Sequence, residues 1–132
     1  MKTVFVDTSG FYAFLDPDDP FHPQARDCFL RGQREAWRML TTNYVVHESW
    51  AVIQARLGWS AVDAWADHLL SQCRVHWVTE ELHGAGVARC RQARERQLSL
   101  TDCVSIEFVR RMHVHEAIAC DDHFRRAGLR LP

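Results

Sequence analysis

The chain has 132 residues, a formal net charge of −1, 47% hydrophobic and 25% charged residues, the values of an ordinary folded protein without low-complexity tracts or repeats. At this length a single domain over residues 1–132 can bury roughly two thirds of its unfolded surface, so neither a disulfide nor a metal staple is required. No apolar run approaches the roughly 18 residues of a membrane span, and Met1-Lys2 leads straight into a strand pattern without room for a signal peptide, so a cytoplasmic chain with no membrane partner is expected.

Lys2-Thr3-Val4-Phe5-Val6 reads as a buried strand that stops at Asp7, and Ser9 to Leu15 as a short helix. Asp16-Pro17-Asp18-Asp19-Pro20 is a turn, and Pro23 suits the first turn of a helix that carries Ala25, Cys28 and Phe29 inward and frays around Gly32. Trp37 to Thr41 predicts a strand. A helix from Asn43 to Leu57 stops at Gly58, and another, capped by Ser60, runs to about Gln72. Arg74 to Val78 alternates like a strand, Thr79 caps a helix through an arginine-rich stretch to Gln97, and Ser99 or Thr101 starts one that ends near His113. His115 to Cys120 is a second buried strand that ends in an acid, Asp121. A helical turn or two to Ala127 follows, closed by Gly128, with a final edge strand at 129–131. Strands alternating with helices predict a parallel sheet covered on both faces.

Ligands of an open parallel sheet bind at the carboxyl ends of its strands, which places Asp7 and Asp121 at a site. Glu48 projects from an otherwise apolar helical face beside Tyr44, Val45, Ala51 and Val52; either it belongs to that site or it pairs with Arg56 or Arg38. Asp102 is a first-turn acid favoured by the helix dipole, and the same helix start brings it over the crevice. Carboxylates so gathered raise one another's pKa unless a cation sits among them, and oxygen-only ligands select Mg²⁺ or Mn²⁺. Such an ion acidifies bound water and stabilises charge on a phosphate. The eight histidines lack a zinc spacing, with His123 expected to pack or hydrogen-bond beside Phe124. The five cysteines contain no C-x-x-C pair and are expected to be reduced.

Val6-Asp7-Thr8-Ser9, Thr41-Thr42-Asn43-Tyr44-Val45-Val46-His47-Glu48, Leu98-Ser99-Leu100-Thr101-Asp102 and the stretch from Asp121 to Gly128 resemble, in order and at suitable spacing, the successive motifs of PIN-domain ribonucleases, above all the VapC-type toxins. The resemblance covers nearly the whole chain. It implies a three-layer α/β/α domain with a central parallel sheet, in which Asp7, Glu48, Asp102 and Asp121 bind Mg²⁺ or Mn²⁺ and direct water at an RNA phosphodiester. It further implies that Thr8 or Ser9 orients a carboxylate or water, that Asp122 is a peripheral ligand at most, and that a small cognate antitoxin is the protein partner.

Lys2 is the only lysine, so the basic residues are almost all arginine, through either phosphate recognition or codon bias. Arg89, Arg91, Arg94 and Arg96 fall on a predicted helix, where they form either an RNA-binding surface or a solvated face. The tryptophans and apolar residues between Asn43 and Gln72 exceed what one side of a small sheet needs; they suit an antitoxin, and equally a homodimer. Position 9 is Ser where a haloacid-dehalogenase-type phosphotransferase needs a second Asp, and no late-strand lysine supports a response-regulator receiver. The remaining rival is a catalytically silent PIN-like module that binds RNA or protein.

Overall fold

In the computed structural model, which describes residues 1–132, four parallel strands form the centre of the molecule. They are β1 (Thr3–Val6), β2 (Arg38–Thr42), β3 (Cys73–His76) and β4 (Ala117–Ile118), in the order β3-β2-β1-β4. Phe5 of β1 lies opposite Leu40 on one side and Ala117 on the other. Val4, Phe5 and Val6 are fully buried, which is why this run is continuously apolar. Helices cover both faces of the sheet, giving the expected α/β/α layering. The Phe5 ring lies 5.9 Å from Phe108 of α6 (Leu100–Arg111) and 5.9 Å from Phe124 of α7 (Asp122–Arg126). The opposite layer contains α1 (Thr8–Leu15), α2 (His22–Arg34) and α3 (Asn43–Leu57), with Phe11 of α1 between Phe29 of α2 and Trp65.

Several expectations are corrected. α2 continues through Gly32 to Arg34 and does not fray there, because Met39 and Trp37 occupy the space where a Cβ would sit, at 2.2 and 2.9 Å. Ser60 caps nothing: α4 (Trp59–Ala64) starts directly after Gly58, whose φ of 89° turns the chain. α4 then widens into a π-type turn over Trp65–Leu69 and tightens into a 3-10 turn over Leu70–Gln72. The wide turn draws Trp65 wholly inside, which packing rewards more than regular helix geometry. α5 (Glu80–Ala93) ends before the arginine stretch does, with Arg94 left-handed at φ 53°. The strand expected at 115–120 shrinks to β4, and 129–131 contributes one parallel bridge, Glu116 to Arg130. All five cysteines are free, and no helix is long and apolar enough to cross a membrane.

Candidate active site

Asp7 ends β1 and caps α1. Its Oδ2 accepts hydrogen bonds from the Ser9 backbone N–H at 3.1 Å and the Ser9 hydroxyl at 2.7 Å. The Ser9 oxygen in turn accepts the Cys120 backbone N–H at 3.0 Å, so one hydroxyl ties the Asp7 carboxylate to the loop that carries Asp121. Of the two candidates Thr8 and Ser9, it is Ser9 whose hydroxyl bonds the Asp7 carboxylate. Gly10 makes the close approach of α1 to β4 possible, since a Cβ there would lie 2.2 Å from the Ile118 carbonyl oxygen. Asp7 is 1% exposed, and its Oδ1 is buried without any hydrogen-bond partner.

β2 and α3 place Glu48. The Thr41 hydroxyl donates to the Val6 carbonyl at 2.9 Å, pinning β2 to the end of β1, and Thr42 caps α3 by accepting the Val45 N–H at 3.3 Å. One residue beyond Glu48, the Ser49 hydroxyl donates to Thr8 at 3.1 Å. Glu48 forms no ion pair; Arg56 instead lies over the Tyr12 ring at 5.6 Å. The expected alternative, a pair with Arg56 or Arg38, is not formed.

Asp102 stands at the start of α6 in a reciprocal cap. Ser99 Oγ accepts the Asp102 N–H, while Asp102 Oδ2 accepts the Ser99 N–H, both at 3.0 Å. Asp102 thus lies in the first turn, as read from the sequence, and its part in the cap is an addition; the residue is 7% exposed.

Electrostatics connect the four. Burial pushes the Asp7 carboxyl up to about 7, against the pull of the Ser9 hydroxyl, and the charges of Asp121 and Asp102 add to the rise. Glu48 is raised by burial and then by Asp102 and Asp121, with the Thr8 and Thr101 hydroxyls opposing. Asp121, exposed on its outer side, is raised by partial burial and by Asp102, with His123 opposing. The carboxylates thus feel one another, although no three His, Cys, Asp or Glu side chains are set around one point to hold an ion. Thr101 was not legible as a site residue. Its only signal was its place beside Asp102 at a helix start.

No protein-family model matches the chain. It is 30% identical over 126 residues, 95% of this chain and 94% of the relative, to a protein described in two strains of Mycobacterium tuberculosis as the 23S rRNA-specific endonuclease VapC20. The crystal structure of Mycobacterium tuberculosis VapC20, a sarcin-ricin loop cleaving toxin, superposes with a TM-score of 0.83 at 29% identity over 96% of each chain. This chain belongs to the VapC-type PIN-domain toxins.

In this VapC-type chain the four arginines do not share a helical face. Arg89 is held by Glu107 at 2.7 Å, Arg91 lies in the last turn of α5, Arg94 is its left-handed cap, and Arg96 lies in the following loop. Arg91, Arg94 and Arg96 are exposed. Two contacts fasten that loop to α7: Arg126 pairs with Glu95 at 3.1 Å, and a His123 ring nitrogen meets the Gln97 carbonyl at 3.0 Å. Arg126 donates to His123 Nδ1 at 3.0 Å, so Nε2 carries the proton that goes to Gln97. That nitrogen is 3.9 Å from Asp102 Oδ2, a proximity its place in the sequence did not disclose. Asp122 is exposed and paired with Arg125 and Arg126.

Proposed function

We propose that the chain is an endoribonuclease toxin that hydrolyses RNA phosphodiester bonds with Mg²⁺ or Mn²⁺ held by Asp7, Glu48, Asp102 and Asp121. The observation that carries this reading is the buried, partnerless Oδ1 of Asp7, whose carboxyl is raised by burial and by the charges of Asp121 and Asp102. A divalent cation would turn that repulsion into attraction, and an all-oxygen donor set suits a hard ion. Binding would require the outer carboxylates, Glu48 and Asp121, to draw inward. Bound there, the ion would supply acidified water and stabilise charge on the phosphate. The chain's own residues do the rest. Ser9 fixes Asp7 and the Asp121 loop together, Thr8 and Thr101 support Glu48, and the Ser99 cap holds Asp102 in place.

The decisive test is incubation of the purified chain with a mixed structured RNA pool, with and without Mg²⁺ or Mn²⁺, followed by mapping of the cut ends. Metal-dependent cuts at defined positions are expected. RNA binding with no cuts under any metal would favour the silent module. The exposed arginines give a second measurement. If Arg91 and Arg94 track phosphates, replacing both with Ala weakens binding to any RNA and lowers the log–log salt slope by about 0.7 for each single-strand phosphate no longer neutralised. An unchanged slope would leave these residues as a solvated surface.

A cognate antitoxin is the second part of the proposal. Trp50 and Trp59 are 41% and 57% exposed with their rings 5.9 Å apart, and Trp77 is 73% exposed. Asn43, Val46, His47, Trp50, Val75 and Trp77 line a cleft of about 490 Å³. Large apolar side chains left in water at this density mark a docking face. An antitoxin segment seated there, with an Arg or Lys reaching Asp7 and Asp102, would silence the site. Co-expression with a neighbouring small open reading frame should yield a complex that Trp50→Ala with Trp59→Ala weakens. A shift from dimer to monomer of the chain alone, with the complex untouched, would assign the face to a homodimer.

A further inference from the structure

Beside the acids lies a second concavity of about 450 Å³, bounded by Phe21, Cys120, Asp121, Arg125, Arg130 and Leu131. From this cleft we infer a nucleobase pocket: Phe21 stacks on an unpaired base of the RNA strand adjacent to the phosphate at the four acids, an inference that rests on the nuclease reading above.

Three features support that occupant over a protein segment. The cleft adjoins the site at one of its acids, because Asp121 lines it and the backbone of Cys120, also in its wall, is tied through Ser9 to Asp7. Its chemistry is divided as a nucleotide's is. Phe21 and Leu131 offer an aromatic and an aliphatic wall for a base, while Arg130 brings positive charge for the strand's phosphates, Arg125 being paired with Asp122 on the same wall. The aromatic wall is also held in place before any ligand arrives. Asp19 Oδ1 accepts the Phe21 N–H at 2.8 Å, and the His22 ring meets the Ala13 carbonyl at 2.7 Å, so the α1–α2 connection is fastened on both sides of Phe21. A base inside a duplex cannot reach such a wall; a base in a loop or single strand can.

The test compares binding of two labelled strands in EDTA, a short single-stranded oligoribonucleotide and its fully abasic counterpart, by the full chain and by Phe21→Ala. Cleavage of the intact strand in Mg²⁺ is followed in parallel. Removal of stacking at one base should weaken the variant's binding to the intact strand roughly tenfold and leave its binding to the abasic strand unchanged. A variant that binds the intact strand as the parent does overturns the inference and leaves the cleft to a protein segment. Equal losses on both strands also overturn it, since Phe21 would then act only on the fold. A parent that cuts the intact strand while failing to discriminate the two strands loses the pocket and keeps the nuclease reading; a parent that neither binds nor cuts loses both.

Discussion

Asp7→Asn should reduce RNA cleavage by more than about 100-fold, since it removes a charge expected to hold an ion worth several kcal/mol to the transition state. The same substitution should raise the melting temperature of the metal-free chain above pH 7. Folded Asp7 has its pKa near 7, against 3.8 for the ordinary group. Across that window the folded chain therefore holds more protons than the unfolded one, and its stability falls as pH rises from about 4 to 7. The full difference is on the order of 4 kcal/mol, and Glu48 and Asp121, also raised, act in the same direction. Asn accepts from Ser9 as Asp does and has no proton to lose, so the variant's advantage should vanish below about pH 4. Added Mg²⁺ or Mn²⁺ should raise the melting temperature of the parent and have little effect on the variant, because only a chain that binds the ion gains from it. Asp102→Asn should follow the same pattern in activity. The site assignment fails if both variants cleave at the parental rate and the parent melts identically with and without metal.

A purely steric change should be nearly as damaging. In Gly10→Ala the new methyl meets the Ile118 carbonyl oxygen at 2.2 Å, and that atom belongs to backbone that cannot rotate away. Relief requires α1 and β4 to separate. The same carbonyl accepts the Asp7 N–H at 3.2 Å, so separation also moves Asp7 away from the loop bearing Asp121. A loss of about 3 kcal/mol is expected, together with loss of cleavage at temperatures where the variant is still folded. Gly84→Ala is the control: nothing lies within 4 Å of its added Cβ, and in mid-helix the substitution should stabilise by up to about 1 kcal/mol. Thermal melts of the three proteins decide the matter, and equal melting temperatures for Gly10→Ala and the parent would show that the close approach is not tight in solution.

Four helix starts were legible to within a residue because local chemistry dictated them. Asp7, Thr42, Thr79 and Ser99 all cap helices, and each is a short polar residue next to an apolar pattern. The acids at 7, 48 and 121 could be picked out because each ends or breaks such a pattern, and Asp102 because its helix starts over the same crevice. What stayed hidden depends on residues distant in sequence. The wide turn at Trp65 exists because that indole fits against Phe11 and Trp50, and no local propensity signals it. Gly32 looked like a helix breaker, but Met39 and Trp37 need the space above it. The arginine stretch read as helix because arginine is a good helix former, yet α5 stops at Ala93, where the loop must turn to meet Glu95's and Gln97's partners on α7. The cleft beside Asp121 brings Phe21 together with residues about a hundred positions later, which no window along the chain can show.

The first strand lies between β2 and β4, and the hydroxyl that locks the site joins residues 111 positions apart. Synthesis proceeds from the amino terminus at roughly 5–20 residues per second, so β1, β2 and β3 can associate while Asp121 has yet to be made. A nascent chain thus lacks Asp121, and the strand that positions it, until well after the other three strands have been made. The four acids proposed as the active site therefore come together only after β1, β2 and β3 have had time to pair, so the sheet precedes its chemistry in the order of synthesis.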